Sequence, residues 1–190
     1  NKFKLCSNEI VSCSFDQSIR TWSIDTGRCI NIVGSDQVIS SIAWWKNGQY
    51  LIEGGGSGRF AIRIRKWCSH DYTQKDHGKI VSSFTCRTAV RKLFVDEENE
   101  RLISCGSNNI SLWNLNTASL LQQVYQYGCR VLDVCMISKN AITIVAAEKR
   151  IKIFQQMKFK KQVEKAHAKS ILAMVYSACE QTLVTASNDK

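Results

Sequence analysis

Apolar positions recur along the chain at a separation that predicts a repeated pair of β-strands. The first apolar residue of one strand and its counterpart in the next strand are 13 residues apart at four places: Ile39 and Ile52, Val90 and Ile103, Val131 and Ile144, Ile171 and Val184. Within these segments apolar residues alternate with others, as in strands that bury one face. Short polar segments separate the members of each pair and predict hairpin turns.

A third strand in each unit ends on an aromatic residue. An isoleucine stands three residues before each of these aromatic residues, which are Trp22, Trp67, Trp113 and Phe154. A fourth strand follows at Cys29–Val33 and Leu120–Val124. The pattern therefore predicts four-stranded units that repeat about every 40 residues, which is a period typical of propellers.

These segments resemble the WD40 repeats of β-propellers. The resemblance rests on SFDQSIRTW (14–22), GSNNISLW (106–113), EKRIKIF (148–154) and AHAKSILAMVY (166–176). It implies an all-β fold of about four four-stranded antiparallel blades, with the ring incomplete in this chain. We expect one partial propeller over 1–190, in units at about 1–33, 34–78, 79–127, 128–165 and a truncated 166–190.

The resemblance also implies that certain polar side chains lock the blades. His167, Thr185 and Asp189 would form one hydrogen-bonded network, although the same residue types could be interpreted as a catalytic triad. We favour the structural interpretation because propellers use this network to fix their turns. The other residues at such positions are Ser12, Asp16, Trp22, Ser104 and Trp113.

The unit that starts at Ile39 is about ten residues longer than the others. Its first extra segment, Gly54–Arg59, is rich in glycine but matches no phosphate-binding motif, so a flexible turn is favoured. Its second extra segment follows Trp67 and contains Cys68, His70 and His77. A structural zinc site needs four ligands, so we expect an exposed polar loop without a metal, and no cofactor.

Lysine and arginine outnumber acidic residues by 26 to 16, which favours acidic partners. We interpret the lysines between Lys158 and Lys165 as charges that protect a sheet edge from pairing. The candidate partner-binding residues are Arg59, Arg63, Arg65, Lys149, Arg150 and Lys169.

No nucleophile motif such as G-x-S-x-G is present, so we do not expect an enzyme with a small-molecule substrate. The sequence favours a protein-interaction scaffold in a larger complex. The alternative is a basic module that docks on RNA or acidic protein tails, in a ribonucleoprotein or cytoskeletal complex. Nine cysteines without a C-x-x-C pair favour a reducing, intracellular and cytoplasmic location, and no apolar run predicts membrane insertion.

Overall fold

The computed structural model describes residues 8–56, 58–68, 71–125, 130–137, 142–177 and 179–189, with only the backbone at 58–60. These residues form strands and turns without a helix, and therefore without a helix able to span a membrane. The strands are β1 (Glu9–Cys13), β2 (Ser18–Ser23), β3 (Cys29–Gly34), β4 (Ile39–Trp45), β5 (Tyr50–Gly55), β6 (Gly58–Lys66), β7 (Ile80–Cys86), β8 (Lys92–Asp96), β9 (Arg101–Cys105), β10 (Asn109–Asn114), β11 (Ser119–Tyr125), β12 (Val131–Ile137), β13 (Ile142–Ala147), β14 (Arg150–Gln155), β15 (Lys158–Val163), β16 (Ile171–Ser177) and β17 (Thr182–Ser187).

The strands pair in sequence order into antiparallel sheets, and the chain divides into two compact units. Residues 1–90 contain a first sheet, β1-β2-β3, and a second sheet, β4-β5-β6-β7. Residues 91–190 contain a third sheet, β8 to β11, a fourth sheet, β12 to β15, and the pair β16-β17. Four-stranded meanders of this kind are the sheets of propeller blades, so the expected fold class is confirmed.

The register of the sheets corrects one sequence alignment. In the first and third sheets, Trp22 faces Ile10 and Trp113 faces Leu102 on the neighbouring strand. The residue at the same place in the second sheet is Arg65, which faces Leu51. Trp67 lies two residues beyond this position, so its assignment as the equivalent aromatic was wrong.

A shared irregularity of the outermost strands supports the same alignment. In all four complete outer strands, one extra residue bulges just after the position that faces Trp22, Arg65, Trp113 or Phe154. Such bulges are local, specific features of a strand pair. The extra residues are Ile30, Val81, Leu121 and Lys160.

Apolar side chains from neighbouring sheets form the core of each unit. In residues 1–90, Ile19, Ile39, Leu51 and Trp67 pack together. In residues 91–190, Val145 and Phe154 belong to one buried cluster, and Ile171 belongs to another. Burial of such side chains contributes about 1.5–3 kcal/mol each, so these clusters hold the sheets of each unit together.

A buried carboxylate links the innermost strands of the second unit. Asp133 of β12 accepts a hydrogen bond from the backbone amide of Met174 in β16, at 2.8 Å from Oδ2. Its Oδ1 lies 3.4 Å from Nζ of Lys92 in β8. Asp133 is almost fully buried, so this one side chain ties three strands of three sheets together.

Candidate functional site

One cross-strand position holds the polar side chains that the sequence identified in the first and third sheets. The indole Nε1 of Trp22 donates to Oγ of Ser12 at 2.8 Å, and that of Trp113 donates to Oγ of Ser104 at the same distance. Trp113 and Ser104 are buried, so the hydroxyl satisfies a donor that water cannot reach. Both pairs therefore fasten a third strand to a second strand.

The second sheet carries an ion pair at this position. Glu53 occupies the place of Ser12 and Ser104, and Arg65 occupies the place of the tryptophans. Nε of Arg65 binds Oε2 of Glu53 at 2.8 Å, and Nη2 binds Oε1 at 3.1 Å. Both residues are buried, and Nη1 of Arg65 also donates to the carbonyl of Gly78 at 2.7 Å. A two-point ion pair thus replaces an indole–hydroxyl bond.

A second arginine extends this buried network towards the surface. Nη1 of Arg63 lies 3.5 Å from Oε1 of Glu53 and also binds the carboxylate of Asp36. This arginine lowers the pKa of Asp36 below its ordinary value. Ser35 donates to Glu53 at 3.2 Å. The charges of Arg63 and Arg65 are therefore paired with carboxylates of the same chain.

This burial corrects the expectation that Arg63 and Arg65 form an exposed partner-binding patch. The two residues are only 8% and 5% exposed, because both side chains turn towards Glu53 rather than solvent. The side chain of Arg59, the third arginine of that expectation, lies outside the described residues.

The last strand pair brings His167, Thr185 and Asp189 together. Nε2 of His167 lies 2.8 Å from Oγ1 of Thr185, and Nδ1 lies 3.1 Å from Oδ2 of Asp189. Asp189 also accepts the backbone amide of Ala168 at 2.6 Å. Burial acts to raise the pKa of Asp189, but the Ala168 amide and His167 keep it below its ordinary value. The charged carboxylate thus joins the loop before β16 to the turn after β17.

Asp16 makes its contacts within its own turn. Its Oδ1 accepts the Ser18 backbone amide at 3.0 Å and the Ser18 hydroxyl at 2.6 Å. Its Oδ2 binds Arg20 at 3.0 Å. The Ser18 hydroxyl is the main cause that lowers the pKa of Asp16. Asp16 therefore fixes the β1–β2 turn, beside the Ser12–Trp22 pair.

Part of the segment after Trp67 packs against the first sheet, whereas Asp71, Thr73, Gln74 and Lys75 are exposed as the sequence predicted. The ring of His77 lies 4.6 Å from that of Trp67 and 5.0 Å from that of Tyr72. Tyr72 donates from its hydroxyl to Glu9 of β1, and His77 contacts the Asn31 amide of β3 at 2.9 Å from Nε2. The segment thus joins the two sheets of the first unit.

Both ring nitrogens of His77 have polar partners within the first unit. The backbone amide of Cys68 donates to its Nδ1 at 3.2 Å, and its Nε2 lies 2.9 Å from the side-chain amide of Asn31. Burial lowers the pKa of His77. His70 lies outside the described residues, and the part of the chain that is described contains no group of three or more potential ligands.

Lys149, Arg150 and Lys169 are exposed and lie in, or directly next to, two adjoining turns. The backbone amide of Ile171 donates to the carbonyl of Glu148 at 2.8 Å, which brings the loop before β16 against the β13–β14 turn. Arg150 pairs with Glu164 at 2.9 Å. Their role as partner-binding residues stays a prediction.

Sequence reasoning gave too little weight to the outer strand β15. Lys158, Phe159, Lys160 and Lys161 are four consecutive exposed residues of this strand. A comparison of the four outer strands, once aligned on their bulges, would have shown that only β15 carries charge.

No protein-family model matches the chain. The chain is similar to a curated protein of Anopheles gambiae described as a ribosome biogenesis protein BOP1 homolog. The two are 28% identical over 103 residues, which cover 49% of this chain and 12% of that protein. The chain therefore spans about an eighth of the length of this relative.

Proposed function

We propose that this chain is a WD40-type interaction module without catalytic activity, and that it serves as a subunit of an assembly that builds ribosomes. The propeller-type sheets support the module, and the similarity to a ribosome biogenesis protein supports the setting. Rigid sheets with many turns present binding surfaces for several proteins at once. The blade units expected at about 1–33, 34–78, 79–127, 128–165 and 166–190 are part of this proposal, except that β7 (Ile80–Cys86) pairs with β6 and therefore belongs to the second of these blade units.

The contacts of Asp189 carry the non-catalytic interpretation. In a catalytic triad the acid orients the histidine, and the histidine activates a hydroxyl that faces a substrate. Here Asp189 also accepts the backbone amide of Ala168, so the His167–Thr185–Asp189 set connects a loop to a turn. The carboxylate performs a structural task that does not depend on any substrate.

The similarity to a ribosome biogenesis protein changes the cellular location that we propose. Ribosome biogenesis, the role named for the relative, is a nucleolar process. It therefore does not support the cytoplasmic location that the sequence led us to expect. A net charge of +10 is compatible with an assembly that contains RNA. We therefore propose a nuclear, ribonucleoprotein setting.

Affinity purification of the tagged protein from cell extract tests this function. We expect stoichiometric recovery of other proteins of a ribosome precursor, and equal recovery with Thr185→Val, which removes the hydroxyl that a catalytic triad would need. Recovery of no stoichiometric partner would contradict the proposal. Loss of a chemical activity in the Thr185→Val protein, with folding intact, would favour an enzyme instead.

A further inference from the structure

The outer strand β15 differs from the other outer strands in its charge. The strands β3, β7 and β11 read CINIVG, IVSSFTC and SLLQQVY, and none contains a charged residue. The strand β15 reads KFKKQV. All four lie at the edge of their sheets and share the same bulge. A need to protect sheet edges would act on every one of them, so it does not explain why three lysines occur on one edge alone.

Lys158, Lys160 and Lys161 occupy exposed positions of the outer strand. The bulged residue is apolar in the other sheets, as Ile30, Val81 and Leu121, each at least 44% exposed, and is Lys160 in β15. Lys161 follows it and faces Ile153. No ion pair to Lys158, Lys160 or Lys161 occurs among the residues that the structure describes. Their charges therefore face solvent.

An exposed aromatic ring lies among these lysines. Phe159 is 58% exposed, and its counterparts in the other outer strands are Cys29, Ile80 and Leu120. Its ring rests edge-on against buried Phe154, with 5.8 Å between the centroids. This contact packs the ring of Phe159 against the buried Phe154 and leaves much of the ring exposed to solvent. Aromatic rings beside basic side chains are the elements that bind single-stranded nucleic acid.

The surroundings of β15 are strongly basic. Residues 149–170 contain eight lysines and arginines and a single acidic residue, Glu164. That acidic residue is engaged with Arg150 at 2.9 Å and with Gln162 of β15. The segment thus supplies a net charge of +7 out of the +10 of the whole chain. Such a concentration attracts phosphate groups over several ångströms.

We propose that β15 and its flanking turns bind single-stranded RNA, with Phe159 stacking on a base and with Lys158, Lys160 and Lys161 contacting phosphates. The proposal rests on the proposed function for its biological setting, since it names the RNA of that assembly as the partner. An acidic protein tail would use the lysines but would have no use for the exposed ring. The ring is the observation that favours nucleic acid.

Fluorescence anisotropy of the purified full chain with a labelled oligo-uridine of about 12 nucleotides tests the proposal. The variant Lys158→Gln/Lys160→Gln/Lys161→Gln should bind about tenfold or more weakly. The slope of its log binding constant against log salt concentration should be less steep by about 2, because three phosphate contacts are lost. The matched control is Arg28→Gln/Lys75→Gln/Arg87→Gln, which removes three exposed charges elsewhere and should bind like the unchanged chain.

The variant Phe159→Leu separates RNA from acidic protein. It keeps an apolar side chain on Phe154 but removes the stacking surface, so affinity for oligo-uridine should fall about fivefold or more. An oligo-glutamate peptide should compete poorly. Unchanged RNA binding in Phe159→Leu, together with strong competition by the peptide, would overturn the proposal in favour of an acidic protein partner. Equal losses in the control variant would also overturn it, because net charge alone would explain binding.

Photo-crosslinking of the unchanged chain to RNA that contains 4-thiouridine gives a second measurement that needs no substitution. We expect crosslinked peptides from residues 150–165. Crosslinks confined to other segments would overturn the proposal, even if the β15 variants failed to fold. Both measurements use purified components, so their failure would leave recovery of the assembly from extract unaffected and would not be confused with failure of the proposed function.

Discussion

Arg65 and Glu53 form a two-point ion pair inside the second sheet, at the position where Trp22 binds Ser12 and Trp113 binds Ser104. One place in the repeated sheet therefore accepts either an indole with a hydroxyl or a guanidinium with a carboxylate. In the fourth sheet the same place holds Val145 and Phe154, which pack in an apolar core. What the repeat requires is a matched pair across two strands.

Removal of one member of the ion pair should destabilise the first unit strongly. In Glu53→Leu the guanidinium of Arg65 stays buried without its carboxylate, and a broken buried pair costs about 3–5 kcal/mol in free energy of unfolding. Urea unfolding followed by tryptophan fluorescence measures this, since four of the five tryptophans lie in residues 1–90. A loss below about 1 kcal/mol would show that the pair is not buried as described.

Replacement of both members should restore stability that each single change removes. Glu53→Ser with Arg65→Trp recreates the pair of the first and third sheets, so the double variant should lose less free energy of unfolding than the sum of the two single variants. A coupling of about 1 kcal/mol or more is expected for residues in direct contact. Simple additivity in the same urea experiment would mean that the two positions are not equivalent to Ser104 and Trp113.

The first unit should lose stability as the pH falls below the ordinary His77 pKa. Burial lowers the pKa of His77 from 6.5, so the unfolded chain binds this proton more readily than the folded chain. The stabilising contribution is complete above about pH 6.5 and declines as the pH falls towards the folded pKa. The nearby Asp71 carboxylate opposes this shift only in part.

Urea midpoints between about pH 7 and pH 5 measure this effect, with His77→Gln as the control. The unchanged chain should lose stability over this range, and the variant should lose less because it has no ring to protonate. Identical pH profiles for the two proteins would mean that the contacts of His77 with Trp67 and Tyr72 do not disfavour the charged ring.

Loss of the Asp133 carboxylate should loosen the last strand pair. The Met174 amide is buried and donates to Asp133, and a hydrogen bond to a charged group contributes about 1.5–3 kcal/mol. In Asp133→Ala the Met174 amide should exchange its hydrogen about 10- to 100-fold faster. Lys92→Gln is the matched control, since it removes the cation but keeps the acceptor. Equal protection of Met174 in Asp133→Ala would contradict this role.

The repeat spacing predicted much of the fold because strand alternation is regular. Ser12 and Ser104 fall two residues after the positions that face Trp22 and Trp113, and this geometry follows directly from pleated strands. The second sheet was aligned wrongly, because Trp67 lies close to the expected spacing and was taken as the equivalent of Trp22 and Trp113 in place of Arg65. Arg65 was named as a candidate partner-binding residue because charged side chains are usually exposed, and its partner Glu53 is twelve residues away on another strand.

The candidate surface was only partly visible in the sequence for a related reason. The lysines of β15 were recognised as a basic group, but their meaning depended on which strands share their position. The structure aligns β15 with β3, β7 and β11 through a bulge that no sequence pattern marks. Only that alignment shows that β15 carries an exposed aromatic ring and three lysines where the equivalent outer strands carry no charged residue.

Sedimentation of the tagged protein from cell extract, with and without ribonuclease, tests the central proposal of a subunit in a ribosome-building assembly most directly. We expect the protein to sediment with large particles that contain ribosomal precursor RNA, and to move to lighter fractions after ribonuclease treatment. Sedimentation as a free protein under both conditions would contradict the proposal.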